Sequence, residues 1–202
     1  MKKLFHQGNI LTLFISLSCI SVPALSATIT SLSEDFEAET LALNYNSFSN
    51  WNVSGGTVDT VGPTFGTPLI NCQGSQVCVD VDGSTNDAAD SFATKDNFAI
   101  GTYVLSFDLS GSQRPDTNTI NVTFGDLNEN FTLSGGAGWM TVVRIVNVST
   151  NDFLTFGMSG GDNSGLLLDN VSVNTIPVPA AVWLFGTGLL GLVGLARRKK
   201  VA

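Results

Sequence analysis

The chain has 202 residues, 43% of them hydrophobic, and 17 acidic residues outnumber nine lysines and arginines to give a formal net charge of −8. This charge argues against nucleic acid as a partner, because phosphate groups repel an acidic surface. The one histidine, His6, lies near the N-terminus, so the rest of the chain lacks the base of Ser-His-Asp and Cys-His catalysis.

Residues 1–27 have the pattern of a secretory signal peptide. A basic start precedes a mostly apolar stretch over 10–22, and small residues then offer a cleavage site after Ser26 or Ala27. Cys19 leaves a lipoprotein signal open as an alternative, although the residues before it make a poor lipobox. We therefore expect export that begins at the Sec translocon.

Residues 28–174 are predicted to form one β-sandwich ectodomain. Apolar and polar residues alternate as in half-buried strands, and clusters of Gly, Asn, Asp or Pro separate the runs. Strand candidates lie at 77–82, 103–110, 119–124, 140–148, 153–158 and 166–173. The pattern predicts an all-β fold of about ten short strands in two antiparallel sheets.

Two cysteines remain in the ectodomain after the signal peptide is removed. Cys72 and Cys78 are six positions apart, and an exported chain with this spacing is expected to close one small disulfide loop. A metal site is disfavoured here because no histidine or third cysteine completes it.

Three segments resemble galactose-binding-like jelly-roll domains, a form that many carbohydrate-binding modules share. They are 34–37 (Glu-Asp-Phe-Glu), 79–84 (Val-Asp-Val-Asp-Gly-Ser) and 165–173, which ends in Leu-Asp-Asn-Val-Ser-Val. The resemblance implies a jelly-roll-like sandwich whose first and last strands lie side by side. It also implies a structural Ca²⁺ held by those strands.

The candidate ligands of that Ca²⁺ are Glu37 and Asp169. In a regular strand Asp169 would share a face with Leu167, Val171 and Val173, which predicts a buried face, where a carboxylate needs a partner or a metal ion. The alternative is a carboxylate that caps backbone N–H groups at the sheet edge.

Other acids and aromatic residues are weaker candidates. Asp80, Asp82 and Asp87 lack the glycine and closing glutamate of a calcium loop, so we expect solvated acids. Tyr45 and Trp139 lie beside Asn- and Gly-rich segments and are predicted to stack on sugar rings. The alternation around Trp51 and Tyr103 places those two in the core.

The C-terminal segment, 175–202, combines three features of a membrane signal. Pro177 and Pro179 precede 17 uncharged residues, 180–196, which as a helix would span about 25 Å, slightly less than the roughly 30 Å of a bilayer core. Four cations follow and are expected to stay on the cytoplasmic side. They are Arg197, Arg198, Lys199 and Lys200.

This segment resembles the PEP-CTERM sorting signal of Gram-negative bacteria. Pro177-Val178-Pro179, the Ala-Ala-Val-Trp-Leu-Phe-Gly run after it and the basic tail carry the resemblance, although Val178 stands where the name-giving motif has Glu. The resemblance implies cleavage near the prolines by an exosortase, an inner-membrane cysteine peptidase. An ordinary C-terminal membrane anchor is the alternative.

These features predict a non-enzymatic protein that passes through the inner membrane and ends at the cell surface or in the extracellular matrix. The resemblance implies an association with exopolysaccharide or biofilm. The alternatives are a carbohydrate-binding module or a glycosidase retained by an ordinary anchor, and a matrix component that binds nothing. Paired carboxylates for glycoside cleavage exist in number, but the sequence singles out no pair.

Overall fold

The computed structural model describes residues 27–65, 70–84, 91–159 and 163–176. Residues 1–26 of the signal peptide predicted at 1–27 lie outside these ranges. So do residues 177–202 of the sorting signal predicted at 175–202, which hold its proline motif, apolar stretch and basic tail. Within them, no helix is long and apolar enough to cross a membrane.

Fourteen strands make up the described part of the chain, and their short lengths match the frequent turn residues of the sequence. They are β1 (Thr28–Ile29), β2 (Ser31–Glu34), β3 (Ala42–Tyr45), β4 (Trp51–Ser54), β5 (Val58–Val61), β6 (Cys78–Asp80), β7 (Ser91–Thr94), β8 (Asn97–Phe98), β9 (Gly101–Ser110), β10 (Thr117–Phe124), β11 (Leu127–Ser134), β12 (Met140–Val148), β13 (Thr155–Ser159) and β14 (Leu167–Thr175).

The strands form two antiparallel sheets, which confirms the predicted sandwich. The larger sheet has the order β12-β9-β14-β6-β5-β3, with β2 also pairing with β14. The smaller has the order β11-β10-β13-β7-β4, and β1 and β8 form a short parallel ribbon. Because the order departs from chain order, most of the pairing is long-range.

Alternation along the strands produces the main core between the two sheets. In β9, for example, Tyr103, Leu105 and Phe107 are fully buried, while the residues between them are half-buried. Aromatic rings fill much of this core: Trp51 stacks on Phe92 with 4.7 Å between ring centroids. The predicted core positions of Trp51 and Tyr103 are therefore confirmed.

β2, the first strand of the larger sheet in chain order, lies beside the last strand, β14, as the jelly-roll resemblance implied. β2 runs antiparallel to β14, with Glu34 opposite Val171. On its other side β14 pairs with β9, and its first half also pairs with β6. The last strand is thus central to the larger sheet.

A β-bulge in β14 changes which residues share a face. Asp169 lies opposite Asp108, and Ser172 lies opposite Ser106, so β14 contains one extra residue between these pairs. The extra residue lets Asp169 face outward, while Val171 and Val173 belong to the main core. The prediction that Asp169 shares a face with those valines is therefore wrong, because simple alternation does not allow for a bulge.

A second, smaller core lies on the outer face of the larger sheet. Its buried members are Val61, Ile70, Cys72, Cys78 and Leu167. Leu167 and the main-core residue Leu168 are neighbours in one strand, so their side chains point to opposite faces. The predicted disulfide between Cys72 and Cys78 is present and lies within this second core.

Candidate functional site

The outer face of the larger sheet carries four buried aspartates, which we call the acidic face. They are Asp59 of β5, Asp80 of β6, Asp108 of β9 and Asp169 of β14. Each is at most 7% exposed. Such burial of charge is costly unless hydrogen bonds or cations compensate for it, so the acidic face is where a ligand has most to gain.

Asp169 is fully buried and is bonded through both carboxylate oxygens. Its Oδ2 accepts a hydrogen bond from the Ser75 hydroxyl at 2.7 Å, and its Oδ1 accepts one from the Asn170 amide at 2.8 Å. Burial raises the pKa of Asp169 to about 6, and the negative charges of Asp108 and Glu37 add to the rise. Asp169 is therefore an acid whose ionised form lacks a full counter-charge.

Glu37 holds the loop before β6. Its Oε1 accepts hydrogen bonds from the amides of Gln76 and Val77, at 2.7 and 3.1 Å. Ser75, the neighbour of Gln76, donates to Asp169, so one short loop joins the two predicted calcium ligands. Both carboxylates cap donors of that loop.

The negative charge around Asp169 suits a bound cation, but the number of oxygen ligands there is small for Ca²⁺. Asp169, Glu37 and Asp108 bring three negative charges close enough to affect one another. Ca²⁺, however, takes six to eight oxygen ligands at about 2.3–2.6 Å. Within the ranges that the structure describes, no three or more Asp, Glu, His or Cys side chains are placed to hold a metal ion. A cation here would need backbone and hydroxyl oxygens as well.

Asp59 and Asp80 form a second pair, which the sequence analysis missed. They lie directly opposite each other in the β5–β6 ladder, so their side chains share a face about 5 Å apart at Cβ. They are 4% and 3% exposed. Burial is the main cause that raises the pKa of Asp80 to about 8; Asp59 adds to the rise and Arg114 opposes it. Only the pairing of two distant segments reveals this pair.

Asp80 and Asp82 are buried, so the expectation of solvated acids is wrong for both. The segments 70–77 and 163–166 border this part of the outer face, which would otherwise be wet. Asp80 Oδ1 accepts hydrogen bonds from the amides of Asp82 and Gly165, at 3.1 and 2.8 Å. Asp87, the third acid of that group, lies outside the described residues.

Trp139 borders an open cleft of about 450 Å³. Its indole Nε1 donates to the carbonyl of Asn71 at 2.9 Å, and its ring packs against the second core. Gln113 exchanges two hydrogen bonds with the backbone of Asn71, at 3.0 and 3.1 Å. The run Gly135–Gly138 lines the cleft too and leaves the half-exposed indole accessible.

Tyr45 occupies a different place from Trp139. It belongs to β3, one edge of the larger sheet, whereas Trp139 precedes β12 at the other edge. The Tyr45 hydroxyl donates to Glu39 at 2.8 Å, a bond that raises the tyrosine pKa. Its ring packs edge-on against Phe48, with centroids 4.7 Å apart. The two predicted stacking residues therefore do not share a cleft.

Residues 175–200 match the PEP-CTERM protein-sorting motif. The chain carries a PEP-CTERM sorting motif. The motif implies export, membrane-associated sorting and processing by an exosortase. It begins at Thr175, where the last strand of the sandwich ends, so the PEP-CTERM motif follows the fold and does not interrupt it.

Several domains among the solved structures are similar to this chain. The K3 cleaved adhesin domain of Lys-gingipain from Porphyromonas gingivalis w83 is 17% identical, with a TM-score of 0.51 over 71% of this chain and 98% of that one. The K1 adhesin domain of the same protein is 15% identical, with a TM-score of 0.48 over 73% and 99%. A family 35 carbohydrate-binding module from Clostridium thermocellum is 13% identical, with a TM-score of 0.41 over 73% and 100%. No curated protein sequence matches significantly.

Proposed function

We propose that this is an exported, non-enzymatic surface protein that an exosortase cleaves at its C-terminus and that associates with exopolysaccharide. The observation that carries the proposal is the position of the PEP-CTERM motif directly after β14. The backbone of Ile176, the last described residue, still donates to the carbonyl of Thr102 at 2.9 Å. Cleavage near Pro177-Val178-Pro179 would therefore leave every described strand in place.

The sorting route follows from the sequence. The N-terminal signal directs the chain to the Sec translocon, and the apolar stretch 180–196 halts in the inner membrane. Arg197 to Lys200 stay on the cytoplasmic side. The prolines keep the segment before the membrane out of a helix, which leaves it accessible to the peptidase. The domain then reaches the cell surface or the matrix.

The test of this proposal is the intact mass of the exported protein. We expect a mass that lacks 1–26 or 1–27 and lacks the residues after the proline motif. A P177A/P179A double variant should accumulate uncleaved, while the conservative control I176V should be processed normally. An exported protein that still ends in Val201-Ala202 would overturn exosortase cleavage and favour an ordinary anchor.

A non-enzymatic role is supported by the state of the buried acid pair. A retaining glycosidase needs one carboxylate free to act as nucleophile beside an acid of raised pKa. Asp59 is the partner of Asp80, but its oxygens accept three hydrogen bonds, from the Asn44 amide and from the amide and hydroxyl of Ser84. We therefore expect no release of reducing sugar from the cell's own polysaccharide. Release that is abolished by D59N would contradict this proposal.

Polysaccharide binding is proposed for the cleft beside Trp139, because its half-exposed indole is fixed by Asn71 and borders open space. Sugar rings stack on such faces. We expect W139A to lose retention on the cell's own exopolysaccharide. Y45A serves as the second predicted position; its ring packs on Phe48, so we expect a smaller loss. Equal retention of both variants and the parent chain would remove this cleft from consideration.

Calcium at Glu37 and Asp169 remains a proposal that the uncompensated charge around Asp169 supports. The ion would join two strand ends to the loop that Ser75 and Gln76 belong to. Chelation should then lower the melting temperature of the exported protein, and D169N should remove that sensitivity. Elemental analysis that finds no metal, together with an unchanged melting curve, would exclude the ion.

A further inference from the structure

A cavity of about 330 Å³ opens over the paired aspartates of β5 and β6. It is separate from the proposed calcium site at Asp169 and from the cleft beside Trp139. One side is polar: Asp59, Asp80, Ser84, Arg114 and Asn163 line it. Its volume is at the lower end of the range for pockets that bind small molecules.

The other side of the cavity is apolar. Leu43, Phe65 and Ile70 contribute to it, and Leu43 is 51% exposed, which makes it the accessible rim. A ligand that fits both sides has a compact apolar body and one strongly polar group.

Asp59 has its carboxylate committed within the protein. Its Oδ1 accepts from the amides of Asn44 and Ser84, at 2.7 and 3.1 Å, and its Oδ2 accepts from the Ser84 hydroxyl at 2.6 Å. These bonds hold the Asp59 carboxylate at one side of the cavity. They leave it little room to accept a further hydrogen bond from a ligand.

Asp80 has one oxygen to offer. Its Oδ1 accepts the amides of Asp82 and Gly165, whereas its Oδ2 accepts no hydrogen bond from any residue that the structure describes. The side chain is 97% buried by neighbouring groups and lines the cavity. Because Asp80 lines the cavity, a donor on a ligand can reach this oxygen and form a hydrogen bond with it.

The number of acceptors distinguishes an organic cation from a metal ion. Ca²⁺ needs at least six oxygens, and here one carboxylate oxygen is open. Among the described residues that line the cavity, Asp59 and Asp80, when both are ionised, carry one negative charge more than the single positive charge of Arg114. A single positive charge with few hydrogen-bond donors therefore suits the cavity best.

We propose that this cavity binds a small primary amine, with its ammonium group on Asp80 Oδ2 and its carbon body against Leu43, Phe65 and Ile70. Asp59 contributes negative charge from the opposite strand. Because Arg114 offsets one of the two negative charges, the remaining charge matches a ligand with a single positive charge.

Binding at this cavity is coupled to a proton. Burial raises the pKa of Asp80 to about 8, so without a ligand Asp80 holds a proton at pH 7. Within the described part of the chain, two charged groups affect the pKa of Asp80: Asp59 on β5 raises it, and Arg114 in the loop after β9 lowers it. An ammonium group favours the ionised carboxylate, so uptake of the amine releases the proton.

The experiment is calorimetric titration of the exported protein with cyclohexylamine, with cyclohexanol as the neutral probe of the same shape. We expect saturable binding of the amine and at least tenfold weaker binding of the alcohol. At pH 7 the heat should differ between buffers of different ionisation enthalpy, because a proton is released. Affinity should rise as the pH increases from 6 to 8.

The matched variants are D80N and D126N. Asparagine at 80 keeps an oxygen for the amides of Asp82 and Gly165 but removes the charge, so amine affinity should fall at least tenfold. D126N changes an exposed acid that does not line the cavity, and it should bind the amine as the parent does.

Equal binding of amine and alcohol, or heats independent of the buffer, would overturn the proposal, and neither result depends on whether D80N folds. Binding that survives D80N but is lost in W139A would assign the amine to the other cleft and would overturn it too.

Discussion

Asp80 links burial to the pH dependence of stability. Its pKa in the folded chain is about 8, against an ordinary value of about 4. The folded state therefore holds the proton more tightly, and the stabilisation this gives is complete below about pH 4 and is lost as the pH rises through about 8. We predict that the free energy of unfolding from urea titrations falls more between pH 5 and pH 8 in the parent chain than in D80N.

The size of this effect follows from linkage. Each unit of pH between the two pKa values changes the contribution by about 1.4 kcal/mol, so the difference between parent and D80N should be of the order of a few kcal/mol. D169N is the comparison, because burial raises the pKa of Asp169 only to about 6 and its effect should end at lower pH. Parallel pH profiles for the parent and D80N would contradict the assignment.

Gly165 shows how closely the backbone approaches the buried acid. A Cβ atom at this position would lie 2.7 Å from Asp80 Oδ1 and 2.6 Å from the Asp82 nitrogen. We predict that G165A lowers the free energy of unfolding by about 2 kcal/mol or more, because the contact that binds Asp80 must open. In the control G138A, the new Cβ meets nothing within 4 Å, and stability should stay within about 0.5 kcal/mol.

If G165A and G138A unfold at the same urea concentration, Gly165 does not clamp Asp80. A further check is the pH profile of G165A. If the alanine pushes the amide of residue 165 away from Asp80, it breaks a hydrogen bond that lowers the pKa of Asp80. The fall in stability should then extend to higher pH than in the parent.

The burial of the acids could not be predicted from local sequence. In Val79-Asp80-Val81, alternation correctly places the two valines in the core and Asp80 on the outer face. An outer face of a sandwich is normally wet, which is why solvated acids were expected. Here, segments distant in sequence cover that face, and no period in the strand itself reports such a cover.

The segment closed by the disulfide between Cys72 and Cys78 also holds residues outside its own loop. Cys72 and Cys78 close six positions of chain, and the segment between them holds Asp169 through Ser75 and Glu37 through two amides. Its residues also cover the second core. The disulfide therefore helps to hold this part of the acidic face in place.

We predict that reduction of the disulfide lowers the free energy of unfolding by about 2–3 kcal/mol, the value expected for a short loop. Amide exchange of Gln76 and Val77 should quicken more than that of the core strand β9. The control is a C72A/C78A variant, on which the reductant should have no effect. Unchanged exchange at these two amides after reduction would show that Glu37 alone holds the loop.

At the level of strands, the alternation in the sequence predicts well where a strand lies and less well how it pairs. Met140–Val148 was predicted to its exact bounds, and 103–110 falls within β9. β11 went unpredicted because its residues alternate weakly. The bulge in β14 also escaped prediction, since Asn170, with a φ of 50°, is an ordinary polar residue until its partners in β9 are known.

Acidic and basic residues are concentrated in different parts of the chain. All 17 acids lie between Glu34 and Asp169, while four of the nine bases follow the apolar stretch at the C-terminus. The two described sheets are joined at one side by Arg144 of β12, which pairs with Glu129 of β11 at 2.7 Å. That pair is more than one-third exposed, so it aligns the edges and contributes little to stability. The acids thus lie in and beside the sandwich, and the four C-terminal bases lie within the segment that matches the sorting motif.

The boundary between sandwich and sorting signal gives the last prediction. A chain that ends at Ile176 keeps all of β14, and we expect its melting temperature to lie within about 2 °C of the exported, processed protein. A chain that ends at Asp169 loses the half of β14 that pairs with β2 and β9, including Val171 and Val173 of the main core. It should fail to fold, because a central strand cannot be removed from a single sheet without exposing the core on both sides. Thermal unfolding of the two chains decides the point: a folded Asp169 chain would mean that the sandwich does not depend on its last strand, and an unfolded Ile176 chain would mean that the sorting segment contributes to the fold.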